Sequence, residues 1–158
     1  MPFPVAFFAR SVEAIPIDDH CVNTDVTTFT LCTIADPLAA LREMRSVLRP
    51  TGRLLFAEHG LAPDRSVQRW QHRCNPVWKR IAGGCNLDGK MDGLIGTAGF
   101  HIAELTVEYA KGARPLGYIY AGSARPKRPN YRSMPQRAGD QAGEQQPLCC
   151  IGGHFTEP

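Results

Sequence analysis

The chain lacks several features that would assign it to a common class of protein. No stretch approaches the roughly 18 consecutive apolar residues that a membrane-spanning helix needs. Residues 1–10 lack the basic start and the long apolar core of a secretory signal. The formal net charge of +3 at pH 7 is mild and gives no indication of nucleic-acid binding. These absences predict a cytoplasmic chain that does not bind nucleic acid.

Glycine is absent before Gly52, although the whole chain contains 15 glycines. A loop that cradles a nucleotide-like ligand with its backbone depends on glycine, because a side chain would block the close approach. Residues 1–10 are also too few to form two strands and a helix ahead of Ser11. The sequence therefore predicts that no glycine-rich ligand loop precedes Ser11 in this chain.

Six cysteines are scattered along the chain without any pair in the C-x-x-C spacing. Because no export signal is present, we expect reduced thiols rather than a disulfide framework. Thiolate and imidazole are the usual zinc ligands. One alternative is therefore a zinc site made by His59, His72, Cys74 and Cys85. Their spacing matches no compact zinc pattern, so we predict no metal site and expect Cys32 and Cys74 to be small core residues.

A strand and the start of a helix can be read from residues 25–37. Residues 25–33 (DVTTFTLCT) are rich in β-branched and aromatic side chains, which favours a strand buried on both faces of a parallel sheet. Asp36 and Pro37 indicate the helix start, because aspartate caps the first-turn amides and proline there loses no hydrogen bond. If no further strand pairs with one side of this strand, it would present an exposed apolar edge, which predicts a protein partner or aggregation.

The helix is expected to lie on a sheet and to lead into a second strand. Its apolar residues recur at spacings of three and four and form one face: Leu38, Leu41, Met44 and Leu48. Residues 50–52 (PTG) predict its end, and residues 53–58 (RLLFAE) predict a short interior strand. Strand, helix and strand within about 35 residues are typical of a right-handed βαβ unit.

Three segments together resemble class I S-adenosylmethionine-dependent methyltransferases, in the subgroup with the ubiquinone and menaquinone biosynthesis enzymes and thiol methyltransferases. They are residues 11–19 (SVEAIPIDD), 28–60 (TFTLCTIADPLAALREMRSVLRPTGRLLFAEHG) and 99–105 (GFHIAEL). The resemblance implies an α/β, partial Rossmann-like methyltransferase fold. It would have about four strands, two parallel plus an antiparallel edge pair, with flanking helices, and S-adenosylmethionine as the cofactor.

The resemblance also implies where the cofactor and the methyl acceptor would bind. In the family, the loop after the third strand holds the adenine, which implies contacts by Ser11, Val12 and Glu13. The segment leaving the next strand lines the methionine end of the cofactor, which implies contacts by Thr28, Phe29 and Thr30. At the end of strand 53–58, Glu58 and His59 would face the substrate and serve as candidate catalytic groups that deprotonate the acceptor.

Residues Arg65 to Ile81 combine two tryptophans with a run of basic side chains at helical spacing. Pro76 is expected to kink or split this helix. One interpretation is a helix that lies on a membrane surface or caps a lipophilic pocket. The favoured interpretation is that the tryptophans cover the sheet while the arginines are solvated.

The remainder of the chain is predicted to complete the sheet and then lose order. A short helix is expected at residues 91–98, and strands at 101–109 and 116–124 would form the antiparallel edge. Residues 125–158 are rich in proline and poor in apolar periodicity, which predicts a disordered tail. We thus expect a partial methyltransferase domain at residues 1–124 and a tail at 125–158.

Three functions remain as alternatives. The first is methylation of a small lipophilic acceptor, a thiol or a phenol, by in-line attack on the sulfonium methyl group. The second is a non-catalytic remnant that binds a protein partner, which the missing glycine-rich loop favours. The third is a peripheral membrane module built on Arg65 to Ile81, which would make the cytoplasmic chain membrane-associated.

Overall fold

The computed structural model of the chain describes residues 7, 11–111 and 116–127. Within them the elements run β1 (Val22–Thr28), α1 (Pro37–Val47), β2 (Leu48–His59), α2 (Arg65–Ile81), α3 (Met91–Thr97), β3 (Phe100–Tyr109) and β4 (Tyr118–Pro126). The predicted tail lies outside the described residues except at 125–127, and its first two residues belong to β4.

The strands form one mixed sheet in the order β1-β2-β4-β3. β1 pairs with β2 in parallel, whereas β4 pairs with both β2 and β3 in antiparallel fashion. Helices flank this sheet. The prediction of a partial Rossmann-like fold with two parallel strands and an antiparallel edge pair is therefore confirmed.

α1 begins as its sequence predicts. The Asp36 side chain accepts a hydrogen bond from the Ala39 N–H at 2.9 Å, and Pro37 occupies the first helical position. The helix ends at Val47 rather than at 50–52, because the backbone of Leu48 is already extended. Leu48 pairs with Val22 and starts β2.

The predicted turn at residues 50–52 lies inside an irregular stretch of β2. Leu48 pairs with Val22 and Arg53 with Thr24, so the residues between them form an excursion from the ladder. Gly52 is required there, because a β-carbon would lie 2.9 Å from the Arg49 carbonyl oxygen.

β1 differs from its prediction in length and in burial. It ends at Thr28, because Phe29 has a left-handed φ of 50° and the chain turns there. Thr27 is the one fully buried residue of the strand, and Val26 is 62% exposed. The other six residues of the strand are half-buried or exposed, so the predicted burial on both faces is wrong. Within the described part of the chain β1 pairs with a strand on one side. β-branched side chains suit any pleated strand, and their enrichment does not itself indicate burial.

The core lies between one face of the sheet and helices α1 and α3. Alternation along β2 places Leu54, Phe56 and Glu58 on this buried face. The helices and β3 contribute Leu41, Met44, Met91, Ile95 and Phe100 to the same cluster. Glu58 therefore continues an apolar row at the carboxyl end of β2, where a ligand site is expected in this kind of sheet.

Candidate functional site

The carboxyl ends of β1 and β2 meet at one edge of the sheet, because the two strands are parallel. Thr28, the last residue of β1, lies opposite Ala57. The Phe29 N–H then donates to the Ala57 carbonyl at 2.9 Å and extends the ladder by one bond. Residues 29–34 turn back over the end of β2 and bring the segment after β1 against Glu58 and His59.

Glu58 organises this turn from a position that has no solvent exposure. Its Oε1 accepts hydrogen bonds from the Thr27 hydroxyl at 2.8 Å and from the Thr30 N–H at 3.1 Å. Its Oε2 accepts from the Cys32 N–H at 3.3 Å. A buried carboxyl group is costly unless such donors satisfy it. The bonds from Thr30 and Cys32 give Glu58 the role of holding residues 29–33 in place, and the bond from Thr27 ties it to β1.

His59 lies half-buried beside this turn. Its Nδ1 is 3.5 Å from the Cys85 Sγ, and its ring centroid is 4.7 Å from that of Phe29. Burial lowers the pKa of the imidazole below its ordinary value of 6.5, and the charge of Glu58 partly offsets this shift. The ring is therefore neutral at pH 7 and can accept a proton or bind a metal ion.

Phe29 and its neighbours Thr28 and Thr30 form the side of the site nearest to solvent. Phe29 is about half exposed and keeps a left-handed backbone, which is uncommon for a bulky side chain. The Thr30 hydroxyl donates to the Thr28 carbonyl at 3.0 Å. The structure thus brings five of the predicted site residues together: Thr28, Phe29, Thr30, Glu58 and His59.

The other three predicted residues lie at the start of α1. The Ser11 hydroxyl donates to Glu13 Oε2 at 3.1 Å, and Glu13 Oε1 accepts from the Asp36 N–H at 3.2 Å. Ser11 and Glu13 are exposed, whereas Val12 is half-buried against the core. Because Asp36 follows the turn after β1, Glu13 ties the predicted adenine loop to the far end of that turn.

Polar side chains of α2 position the next loops, a role that was not predicted from the sequence. Gln71, fully buried, accepts from the Ala62 N–H at 2.9 Å and donates to the Gly60 carbonyl at 3.0 Å. Asn75, one turn later, accepts from the Leu87 N–H at 3.0 Å. Glutamine and asparagine four residues apart on a helix form one polar stripe, and that spacing is the signal that could have identified it.

The outward side of α2 is apolar and basic. Trp70, Val77 and Ile81 are 58%, 60% and 73% exposed. Basic side chains lie on the exposed part of the same helix: Arg65, Arg69, Arg73, Lys79 and Arg80. The expectation that both tryptophans cover the sheet is wrong for Trp70, because the helix faces the domain with its polar stripe.

α2 runs without interruption through Pro76, so of the two predicted effects of this proline the split is wrong and the kink stays a prediction. Among the helices of the described residues, none has the length and apolar character needed to cross a membrane.

The cysteines match the expectation of reduced thiols in part, and Cys32 lies in the core as expected, whereas Cys74 is half-buried. Cys21 is disulfide-bonded, whereas Cys32, Cys74 and Cys85 have free thiols. Of the four residues in the alternative zinc set, His59 and Cys85 come together. Cys74 lies on α2, and His72, on the same helix, contacts Asp88 at 3.4 Å. Cys32 joins the pair instead, with its Sγ 3.3 Å from that of Cys85.

Comparison with known sequences supports the resemblance. Residues 2–56 match the model of a methyltransferase domain. The chain is 39% identical over 70 residues to thiol S-methyltransferase TMT1B of Rattus norvegicus, which covers 44% of this chain and 29% of that protein. It is 41% identical over 54 residues to the ubiquinone/menaquinone biosynthesis C-methyltransferase UbiE of Hahella chejuensis, covering 34% of this chain and 22% of that protein. The chain thus matches less than a third of the length of these relatives.

Solved structures show the same fold at low sequence identity. A methyltransferase from Methanosarcina mazei that depends on S-adenosylmethionine superposes with a TM-score of 0.58 at 14% identity, over 75% of this chain and 65% of that chain. The [4+2]-cyclase SpnF superposes with a TM-score of 0.57 at 17% identity, over 77% of this chain and 55% of that chain. The sequence matches thus relate part of the chain to methyltransferases, and the solved structures show that the chain shares a fold found among them.

Proposed function

We propose that the chain takes part in methyl transfer from S-adenosylmethionine to a small lipophilic acceptor, a thiol or a phenol. The observation that carries the proposal is the turn after β1. Glu58 holds it through two hydrogen bonds and bonds Thr27 of β1 through a third, and this leaves Phe29 and His59 in contact at the carboxyl ends of the parallel strands. The thiol S-methyltransferases among the relatives support a thiol acceptor.

The described residues suit part of the cofactor. Two exposed groups of polar and aromatic side chains lie at opposite ends of the turn, Ser11 with Glu13 and Thr28 with Phe29. We propose that the first group, with Val12, contacts the adenine and that the second, with Thr30, contacts the methionine end. When bound, S-adenosylmethionine supplies a methyl group on a positively charged sulfur.

Two residues are proposed to prepare the acceptor. His59 is neutral at pH 7 and would take the proton of the acceptor thiol or phenol, which raises the nucleophilicity of the acceptor atom. Glu58 is proposed as a positioning residue, because both of its oxygen atoms already accept hydrogen bonds within the protein. Phe29 would shield the acceptor from water on the exposed side.

Calorimetric titration of the purified chain with S-adenosylmethionine and S-adenosylhomocysteine tests the cofactor part of the proposal. We expect micromolar binding that Phe29→Ser weakens. Leu105→Ser, which removes an exposed apolar side chain from β3, is the matched control and should leave binding unchanged. Absence of binding at millimolar ligand would contradict the proposal.

Methyl transfer to small thiols tests the role of His59. We expect His59→Gln to lower the rate about 100-fold, which is within the usual contribution of a general base. His72→Gln is the control, because His72 is an exposed histidine on α2 that contacts Asp88. Equal rates for wild type and His59→Gln would contradict the proposed role of His59 as general base.

A second candidate function is contact of α2 with a membrane surface. Exposed Trp70, Val77 and Ile81 would enter the lipid interface, and the neighbouring basic side chains would attract anionic headgroups. Co-sedimentation with phosphatidylcholine vesicles, with and without phosphatidylserine, tests this. We expect Trp70→Ser with Ile81→Ser to abolish binding, while Leu105→Ser with Val107→Ser leaves it unchanged. Equal losses in both pairs would reject α2 as the contact.

A non-catalytic binding role is a third candidate, and the edge of β1 supports it. In the described part of the chain this strand pairs on one side, and its exposed Val26 lies in the middle of it. Such an edge can accept a strand from a partner. Size-exclusion chromatography with light scattering tests it. Self-association that Val26→Lys reduces would support the edge as an interface, and a monodisperse monomer would contradict self-association.

A further inference from the structure

Three side chains from different parts of the sequence converge beside the end of β2. Cys32 comes from the turn after β1, His59 ends β2, and Cys85 follows α2. The two Sγ atoms are 3.3 Å apart, and the Cys85 Sγ is 3.5 Å from the His59 Nδ1. All three of these atoms lie within 4.8 Å of one another. Both thiols are almost sealed from solvent, whereas His59 is half-buried.

Two of the three ligand-atom distances, Cys32 to Cys85 and Cys85 to His59, fit a metal ion better than a disulfide, and the third is within 4.8 Å. A tetrahedral zinc ion has bonds of about 2.3 Å to sulfur and about 2.0–2.1 Å to nitrogen. Its ligand atoms are then about 3.8 Å apart for two sulfurs and about 3.6 Å apart for sulfur and nitrogen. The observed separations of 3.3 and 3.5 Å are within half an ångström of these values. A disulfide would require the sulfurs to approach by about 1.2 Å more.

The surroundings hold the ligand atoms in place. The Cys32 N–H donates to Glu58 Oε2 at 3.3 Å. The Asn86 N–H donates to the Cys32 carbonyl at 2.6 Å, which fixes the Cys85 loop to the turn after β1. Phe29 packs on the imidazole. Such outer contacts orient the ligands of natural metal sites.

We propose that Cys32, His59 and Cys85 bind one soft divalent cation of the zinc type, with a fourth position open to water or a small thiol. Two thiolates and one imidazole form a ligand set that zinc prefers, and three protein ligands leave a tetrahedral ion accessible. The proposed cofactor contacts are not among these ligands, so the site can be tested without cofactor. His59 belongs to both proposals, and an ion there would replace its role as proton acceptor.

Titration of the reduced, purified full-length chain with cobalt(II) tests the site, because tetrahedral thiolate-bound cobalt has intense visible and near-ultraviolet absorption. We expect one cobalt per chain and displacement of the spectrum by one equivalent of zinc. Cys32→Ser and Cys85→Ser should each abolish the thiolate bands, and His59→Gln should weaken binding at least tenfold. Cys74→Ser is the control, because it removes a free thiol outside the cluster.

Circular dichroism of each variant separates loss of the site from loss of the fold. If a serine variant does not fold, the wild-type stoichiometry and the His59→Gln variant decide the question. Absence of thiolate bands in the folded, reduced wild-type chain would overturn the proposal. Equal cobalt binding by a folded Cys32→Ser with Cys85→Ser double variant would also overturn it. These readouts do not depend on methyl transfer. The proposed activity and the proposed metal site can therefore each be rejected without rejecting the other.

Discussion

Two regions of the molecule reverse the usual distribution of polar and apolar groups in opposite ways. At the ends of β1 and β2 a carboxyl group, two thiols and the edge of an imidazole are enclosed within the protein. Along the outer side of α2 a tryptophan, a valine and an isoleucine face solvent. The enclosed polar groups have hydrogen-bond partners, which explains how the fold tolerates them. The exposed apolar groups have no such intramolecular compensation.

The comparison shows two different kinds of evidence for function. An enclosed polar group indicates a requirement of the fold itself, because its hydrogen-bond partners must come from within the protein. An exposed apolar stripe indicates contact with another molecule, because hydrophobic surface of this kind is commonly covered by a ligand, a lipid or a protein. Substitutions in the first region should therefore change stability, whereas substitutions in the second should change binding and leave stability nearly intact.

Replacement of Glu58 by alanine should have the largest effect. It would leave the Thr27 hydroxyl and the N–H groups of Thr30 and Cys32 without their acceptor, at an expected cost of about 3 to 5 kcal/mol in the free energy of unfolding. Urea denaturation measures this. Glu104→Ala, on the exposed part of β3, is the control and should cost less than about 0.5 kcal/mol. Similar losses in both variants would break the distinction between the two regions.

Gln71→Ala should have the next largest effect. Both ends of the buried amide are bonded to the backbone of residues 60–62, and the expected loss is about 2 kcal/mol. The measurement is again urea denaturation. Gln68→Ala is a graded control on the same helix, because Gln68 is half-buried and makes one bond, to the Ala62 carbonyl at 2.8 Å. A larger loss for Gln68 than for Gln71 would contradict the importance of the buried stripe.

The stability of the chain should fall as the pH drops below neutrality, in part because of His59. Burial holds the folded pKa of this imidazole below its ordinary value of 6.5, so the unfolded state binds a proton first. The stabilisation is complete above pH 6.5 and is lost as the pH falls through the lower folded pKa. Thermal unfolding between pH 5 and 8 should show a shallower dependence for His59→Gln. An unchanged slope would indicate that His59 does not couple to folding.

Trp70→Ser should have the smallest effect on stability, within about 0.5 kcal/mol, because the side chain lies largely outside the fold. Thermal unfolding of this variant can be compared directly with that of Gln71→Ala, its neighbour on α2. A loss as large as that of Gln71→Ala would place Trp70 among the stabilising residues and would weaken the case for an external partner.

Local signals explain which parts of the fold were predictable. Asp36 and Pro37 define the start of α1 through atoms within four residues, and local sequence patterns predicted β3 and β4 as strands. The antiparallel pairing of these two strands was implied by the family resemblance. The length of β1 could not be predicted from the local sequence, because the strand ends where Phe29 adopts a left-handed backbone beside His59. Hydrophobic periodicity also did not predict which side of α2 faces the domain, because hydrogen bonds of Gln71 and Asn75 override the hydrophobic pattern.

The candidate site was predictable as a location but not as an arrangement. The resemblance selected the ends of the strands, and five of the eight residues chosen there lie together. It did not show that both carboxylate oxygens of Glu58 accept hydrogen bonds from backbone and hydroxyl groups, nor that Cys32 lies beside Cys85. Those two cysteines are 53 residues apart in sequence, and their spacing matches no motif.

By itself the sequence determined the order of the elements, the capped helix, the resemblance of three segments to methyltransferases and the two strands whose ends form the site. These depend on local hydrogen bonding, on hydrophobic periodicity and on inherited motifs. Tertiary structure alone decided that Glu58 is enclosed, that Trp70 is exposed and that Cys32, His59 and Cys85 meet. Each of these depends on pairing between segments distant in sequence, because parallel strands and the loops packed on them bring together atoms that no local pattern relates.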